Sequence, residues 1–100
     1  MDFKKAQFLL EHHYPLVFPH RVIRKKMDDD IYGSCVVKTR NGPTRIEICV
    51  HKDLDPVAQL DTLIHEWAHA RLAAIPEEFH AHSAAWGVYY AQCYLAVYPD

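Results

Sequence analysis

The segment Asp55–Leu72, DPVAQLDTLIHEWAHARL, decides how the rest of the chain is read. Asp55 followed by Pro56 is an N-cap and first-turn pair, because the carboxylate can accept a free amide hydrogen at a helix start and proline has none to lose there. Val57, Leu60, Ile64, Ala68 and Leu72 then recur at helical spacing. This predicts an amphipathic helix of four or five turns ending near Ile75-Pro76, since proline excludes the helical conformation for the residue before it. Inside that helix stands His65-Glu66-Trp67-Ala68-His69, an HExxH sequence. Residues four apart are neighbours on a helix face, so both imidazoles can reach one Zn²⁺ while the helix holds them in place. Glu66 is turned about a quarter of the circumference away, where its carboxylate can contact water at the metal without being a ligand, as a general base must.

A catalytic zinc requires three protein ligands and one open position, so a further ligand is expected nearby. A last helix is predicted from about Glu77 to Val97, with Phe79, His82, Trp86, Tyr89, Tyr90, Cys93 and Val97 on one stripe. Of Glu77, Glu78, His80 and His82, that geometry favours His82, which shares the apolar stripe and faces the preceding helix. His80 projects roughly 160° away around the axis. Glu78, near the edge of the stripe and close to the turn, is the second choice.

Upstream, Phe3, Ala6, Leu9, Leu10 and His13 predict a first helix over Asp2 to His13, ending before Pro15. Leu16 to Met27 carries Val17, Phe18, Val22 and Ile23 and reads as an extended segment interrupted by Pro19, followed by a turn at Asp28-Asp29-Asp30. Two clearer strands, Ile31 to Lys38 and Arg45 to His51, flank Asn41-Gly42. A two-residue turn there puts Arg40 opposite Pro43, and Val37, Cys35 and Gly33 opposite Ile46, Ile48 and Val50. The apolar positions then share one face, with Cys35 inward and Cys49 outward, so these two thiols cannot bond.

Composition narrows the function classes. The chain has 100 residues, half of them apolar and 24% charged, which fits one globular domain over residues 1–100. Net charge is -2, and the only basic run, Arg21 to Lys26, is answered by the Asp triplet. That reads as a solvated strand end and turn, not a nucleic-acid footprint. Neither a signal peptide nor a membrane-spanning stretch is read, and a cytoplasmic location is the default. Three cysteines without a CxxC pair argue against a disulfide framework and against a cysteine zinc site. Eight histidines, concentrated near the N-terminus and between His65 and His82, are the excess that needs a reason.

Other polar residues are read more modestly. Asp61, one turn before His65, is a candidate to orient its ring by a hydrogen bond, or simply a solvated helix residue. Tyr89, Tyr90, His51 and His80 are candidate donors to a developing oxyanion, each with a packing or surface role as the plainer reading. Trp67 and Trp86 read as core anchors. His12-His13, at a helix C-terminus, suit the helix dipole.

The segment Leu63–Trp86, LIHEWAHARLAAIPEEFHAHSAAW, resembles the core of the SprT-like branch of the zincin metallopeptidases. The matching positions are His65, Glu66, His69, Ala70, His82 and Trp86, with Ser83 standing where that branch commonly has Gly. The resemblance implies Zn²⁺ held by the three histidines, with Glu66 activating water. It implies an α+β fold: an N-terminal helix, a three-stranded, mostly antiparallel sheet, the HExxH helix and a C-terminal helix carrying the third ligand. It also implies that Ile31 to Lys38 is an open edge along which a protein or peptide substrate lies as an added strand. The small architecture is similar as well to very small gluzincin-like proteins, whose third ligand is Glu, which would select Glu78. The expected activity is zinc-dependent peptide-bond hydrolysis without membrane or nucleic-acid partners. The rival expectation is a zincin-like binding module, an inhibitor or accessory protein of a mobile element, with structural zinc.

Overall fold

A computed structural model of the chain describes residues 1–39, 41–79 and 81–99, without the side chains of Glu77 and Glu78. Helix α1 spans Phe3–His13, and the Asp2 carboxylate accepts the Lys5 amide at 2.7 Å, so a capping aspartate starts the helix. Its inner face buries Ala6 and Leu10. Strand β1, His20–Lys25, begins immediately after Pro19, and strands β2, Gly33–Lys38, and β3, Arg45–His51, follow.

Cα partners Val37↔Ile46, Cys35↔Ile48 and Gly33↔Val50 reproduce the register of a two-residue turn, and Asn41 takes a positive φ of 60°. Arg40, expected opposite Pro43, lies outside the described residues. Cys35, Ile46, Ile48 and Val50 are buried on the helix-facing side of the sheet. Cys49 occupies the opposite face as predicted, yet it is buried too, because a small side chain on the central strand is overtopped by its neighbours. All three thiols are free and buried.

The strand order is β1-β3-β2, with β1 parallel and β2 antiparallel to β3. The sheet is therefore mixed, which corrects the mostly antiparallel expectation. The cause lies between β1 and β2. There the chain turns at the Asp triplet, with Ile31 N–H donating to the Asp28 carbonyl at 2.9 Å, and returns two strand positions away instead of forming a tight hairpin. Strand β3 fills that gap of about two 4.8 Å spacings and so lies parallel to β1.

Helix α2, Pro56–Ala70, starts as predicted, with the Asp55 carboxylate accepting the Ala58 amide at 2.9 Å. It ends five residues earlier than the proline rule suggests. Leu72, Ala73 and Ile75 donate to carbonyls three residues back, winding the chain into tighter turns. Arg71 caps α2, and its guanidinium is clamped between the rings of Tyr14 and Tyr89 at 4.1 and 3.9 Å. Beyond it, the expected single helix from Glu77 to Val97 is two: α3, Pro76–Phe79, a single turn, and α4, Ala84–Val97. Ser83 makes the break. Its backbone is extended and its hydroxyl accepts the Trp86 amide at 3.2 Å, so the serine competes for a helix start where helical spacing alone would run through.

Helix α2 is the centre of the molecule. Leu63, Ile64, Trp67 and Ala68 are fully buried against the sheet, α1 and α4. Trp67 donates its indole N–H to the Tyr14 carbonyl at 3.0 Å and meets the His20 ring edge-on. Gly33 is required for the approach of β2 to this helix, since a Cβ there would come within 2.5 Å of the Thr62 methyl and 2.8 Å of the Cys49 carbonyl oxygen. Among the described residues, no helix is long and apolar enough to cross a membrane.

Candidate metal centre

His65 and His69 project from consecutive turns of α2, and His82 reaches them from the connection between α3 and α4. The Nε2 atom of His82 stands 3.3 Å from that of His65 and 3.2 Å from that of His69. One ligand nitrogen from each ring lies within 4.8 Å of the others, close enough to hold a metal ion. Tetrahedral zinc with bonds of about 2.0–2.1 Å separates its nitrogens by about 3.3 Å, a spacing that both His82 distances match.

The second contact of His69 fixes its orientation. A carbonyl can only accept, so the 2.8 Å contact to the Phe79 oxygen requires the hydrogen on Nδ1 and leaves Nε2 with a lone pair facing the cluster. Burial holds the His65 ring far below the usual histidine range, at about 4, with His69 and His82 adding to the effect. It is therefore neutral at pH 7, the form that binds metal. Trp86 floors the site, its ring centroid 4.9, 5.5 and 4.6 Å from those of His65, His69 and His82. Its indole nitrogen is buried without a hydrogen-bond partner among the described residues.

Glu66 is 8% exposed and lies between α2 and β2. Burial pushes its carboxyl up to about 7, where a proton can be both taken and returned near neutral pH. A shallow cleft brings together Ser34, Cys35 and Val36 of β2 with His65, Glu66, His69 and His82. A second cleft, of about 550 Å³, opens beside His65 and Glu66 toward Ile31, Tyr32, Ala58, Asp61 and Tyr90.

His82 was the favoured third ligand, and it joins the cluster, but not by the geometry argued for it. It lies on no helix: it directly precedes the Ser83 cap and is exposed. His80 and the side chain of Glu78 lie outside the described residues. Asp61 makes no hydrogen bond to His65 among those described, and instead lines the larger cleft. Tyr89 belongs to the Arg71 clamp. His51 is buried, its Nδ1 accepting the Asp53 amide at 3.2 Å. Tyr90 faces the larger cleft, and burial raises its hydroxyl, with Asp61 and Tyr94 contributing. His12 and His13 are exposed at the end of α1, His12 stacked on Phe8. Of the basic run, Arg24 lies over the Phe3 ring and Lys26 pairs with Asp53. The β2 residues that border the cluster fall in the segment expected as a substrate-binding edge, but Trp86 as its floor was not read from sequence. The spacing of Trp86 four residues after His82 was the available signal for it.

No protein-family model, curated protein or solved structure matches the chain.

Proposed function

We propose that the chain is a zinc metallopeptidase of the zincin type, similar to the SprT-like branch, with His65, His69 and His82 as ligands and Glu66 as general base. The observation that carries the reading is the convergence of three imidazoles, the His82 Nε2 atom 3.2–3.3 Å from that of each of the other two, with a buried carboxylate on α2 one residue from His65. Bound there, Zn²⁺ would supply Lewis acidity that polarises a carbonyl and makes water acidic near pH 7.

The chain's own groups do the rest. Glu66, held in the wall between α2 and β2, takes a proton from the attacking water and delivers it to the leaving amine nitrogen as the peptide bond breaks. Strand β2 is an edge of the sheet, and its Ser34–Val36 stretch borders the histidines. An extended peptide added to that edge has its backbone held by main-chain hydrogen bonds beside the reacting centre.

The test is zinc analysis together with cleavage of an unfolded protein substrate by wild type and Glu66→Gln. Equal zinc in both with cleavage by wild type alone supports the proposal, with a loss on the order of 10²–10⁴-fold in the variant. Zinc in both without cleavage by either overturns it in favour of a binding module.

A further inference from the structure

The larger cleft beside His65 combines aromatic and aliphatic walls with charges of one sign among the described residues. Ile31 and Tyr32 come from the chain entering β2, Ala58 and Thr62 from α2, and Tyr90 from α4. Tyr32 is 60% exposed, so an aromatic face is offered at the mouth. Among the described residues, every charged side chain lining the space is acidic: Asp30, Asp61 one turn before His65, and Glu66.

Neither Asp30 nor Asp61 has an ion-pair partner among the described residues, although surface carboxylates elsewhere do, Asp53 with Lys26 at 2.7 Å and Glu47 with Lys38 at 3.1 Å. Along α2, Asp61 precedes His65 by about 6 Å, roughly the span of one side chain beside the reacting bond. A long methylene stem ending in a cation matches such a cleft. The stem covers the rings of Tyr32 and Tyr90, and the head reaches a carboxylate with an aromatic face nearby. An acidic side chain meets only like charge, and an apolar one leaves Asp61 uncompensated.

We propose that this cleft receives a lysine or arginine side chain of the substrate, flanking the bond to be cut, and that Asp61 is the specificity-determining residue. The inference rests on the peptidase reading for its substrate, a peptide on the β2 edge, and adds which peptide is chosen.

Binding separates the two ideas. Labelled alanine-glycine peptides carrying a single Lys, Arg, norleucine or Glu are titrated into zinc-loaded Glu66→Gln protein, which holds peptide uncut, and the same set is then offered to zinc-loaded wild type for cleavage. The expected result is Lys and Arg peptides bound about five- to tenfold more tightly than norleucine, and Glu weakest. Asp61→Asn should abolish the difference, and Asp61→Lys should reverse it toward Glu. Asp61 is exposed, so these variants keep the fold. Equal affinities, no measurable binding of any peptide, or a Lys preference that survives Asp61→Asn overturns the inference. Cleavage without basic preference would remove this inference and leave the peptidase. Basic-selective binding without cleavage would remove the peptidase and keep only Asp61 as the residue that selects a basic side chain of a bound peptide.

Discussion

His65 and His69 stand on a helix whose neighbouring residues Leu63, Ile64, Trp67 and Ala68 have no solvent exposure, whereas His82 stands exposed between a single helical turn and the Ser83 cap. The first pair is placed by the core before any ligand arrives. The third is placed by one short connection, tied at one side by the Ser83 cap and facing His69, whose own ring is bonded to Phe79. A metal shared by both regions therefore fastens a connection to the core, and a chain of 100 residues gains from that, because binding to the folded form alone adds stability.

The largest expected effect breaks the comparison at its two ends. His82→Ala and His69→Ala should each lower zinc affinity by at least about a hundredfold, measured by competition with a chelating dye. Their metal-free stabilities should differ. His82→Ala should leave the melting temperature of the zinc-free protein nearly unchanged, because the ring is exposed. His69→Ala leaves a cavity and removes a hydrogen bond to the Phe79 carbonyl, and should cost about 1–3 kcal/mol in denaturant unfolding. Equal losses would mean that the two regions are equally preorganised.

A smaller effect concerns the buried carboxylate. Glu66 titrates higher in the folded protein, at about 7, than its ordinary value of 4.5. The folded state therefore holds more protons than the unfolded state between those values, and the ionised group works against folding as pH rises through the window. Without metal, Glu66→Gln should match wild type below pH 4.5. It should become more stable by about 1–3 kcal/mol above pH 7, read as a difference in unfolding free energy against pH. A difference that is flat with pH would contradict this placement of the carboxylate.

How much could be read in advance follows the same division. Asp55, Pro56 and the apolar spacing after them act within a few residues, so the start of α2 and its two histidines were legible, as was the β2–β3 register from Asn41-Gly42. The end of α2 was not, because it depends on Arg71 meeting Tyr14 and Tyr89, residues distant in sequence. Nor was the parallel β1–β3 ladder, which arises from the space left between β1 and β2. His82 is reached in the sequence by assuming a continuous helix, and it does lie beside His65 and His69, although on a connection where no helix runs. Serine is a favoured helix cap, a signal at Ser83 that the continuous apolar stripe left unread.

The smallest effect sharpens this last point. Ser83→Ala should cost about 1 kcal/mol of stability and Ser83→Gly only a few tenths, since the cap is what the alanine removes. Zinc affinity should fall by about fivefold in Ser83→Ala, because loosening the start of α4 loosens the residue beside it. An unchanged affinity would show that His82 is held by something other than the cap.

X-ray absorption at the zinc edge of the metal-loaded protein tests the central claim most directly. The account predicts one zinc per chain with three imidazole nitrogens at about 2.0–2.1 Å, an oxygen as fourth neighbour, and one imidazole fewer in His82→Ala. A thiolate sulfur at about 2.3 Å, or an unchanged spectrum in His82→Ala, would contradict it.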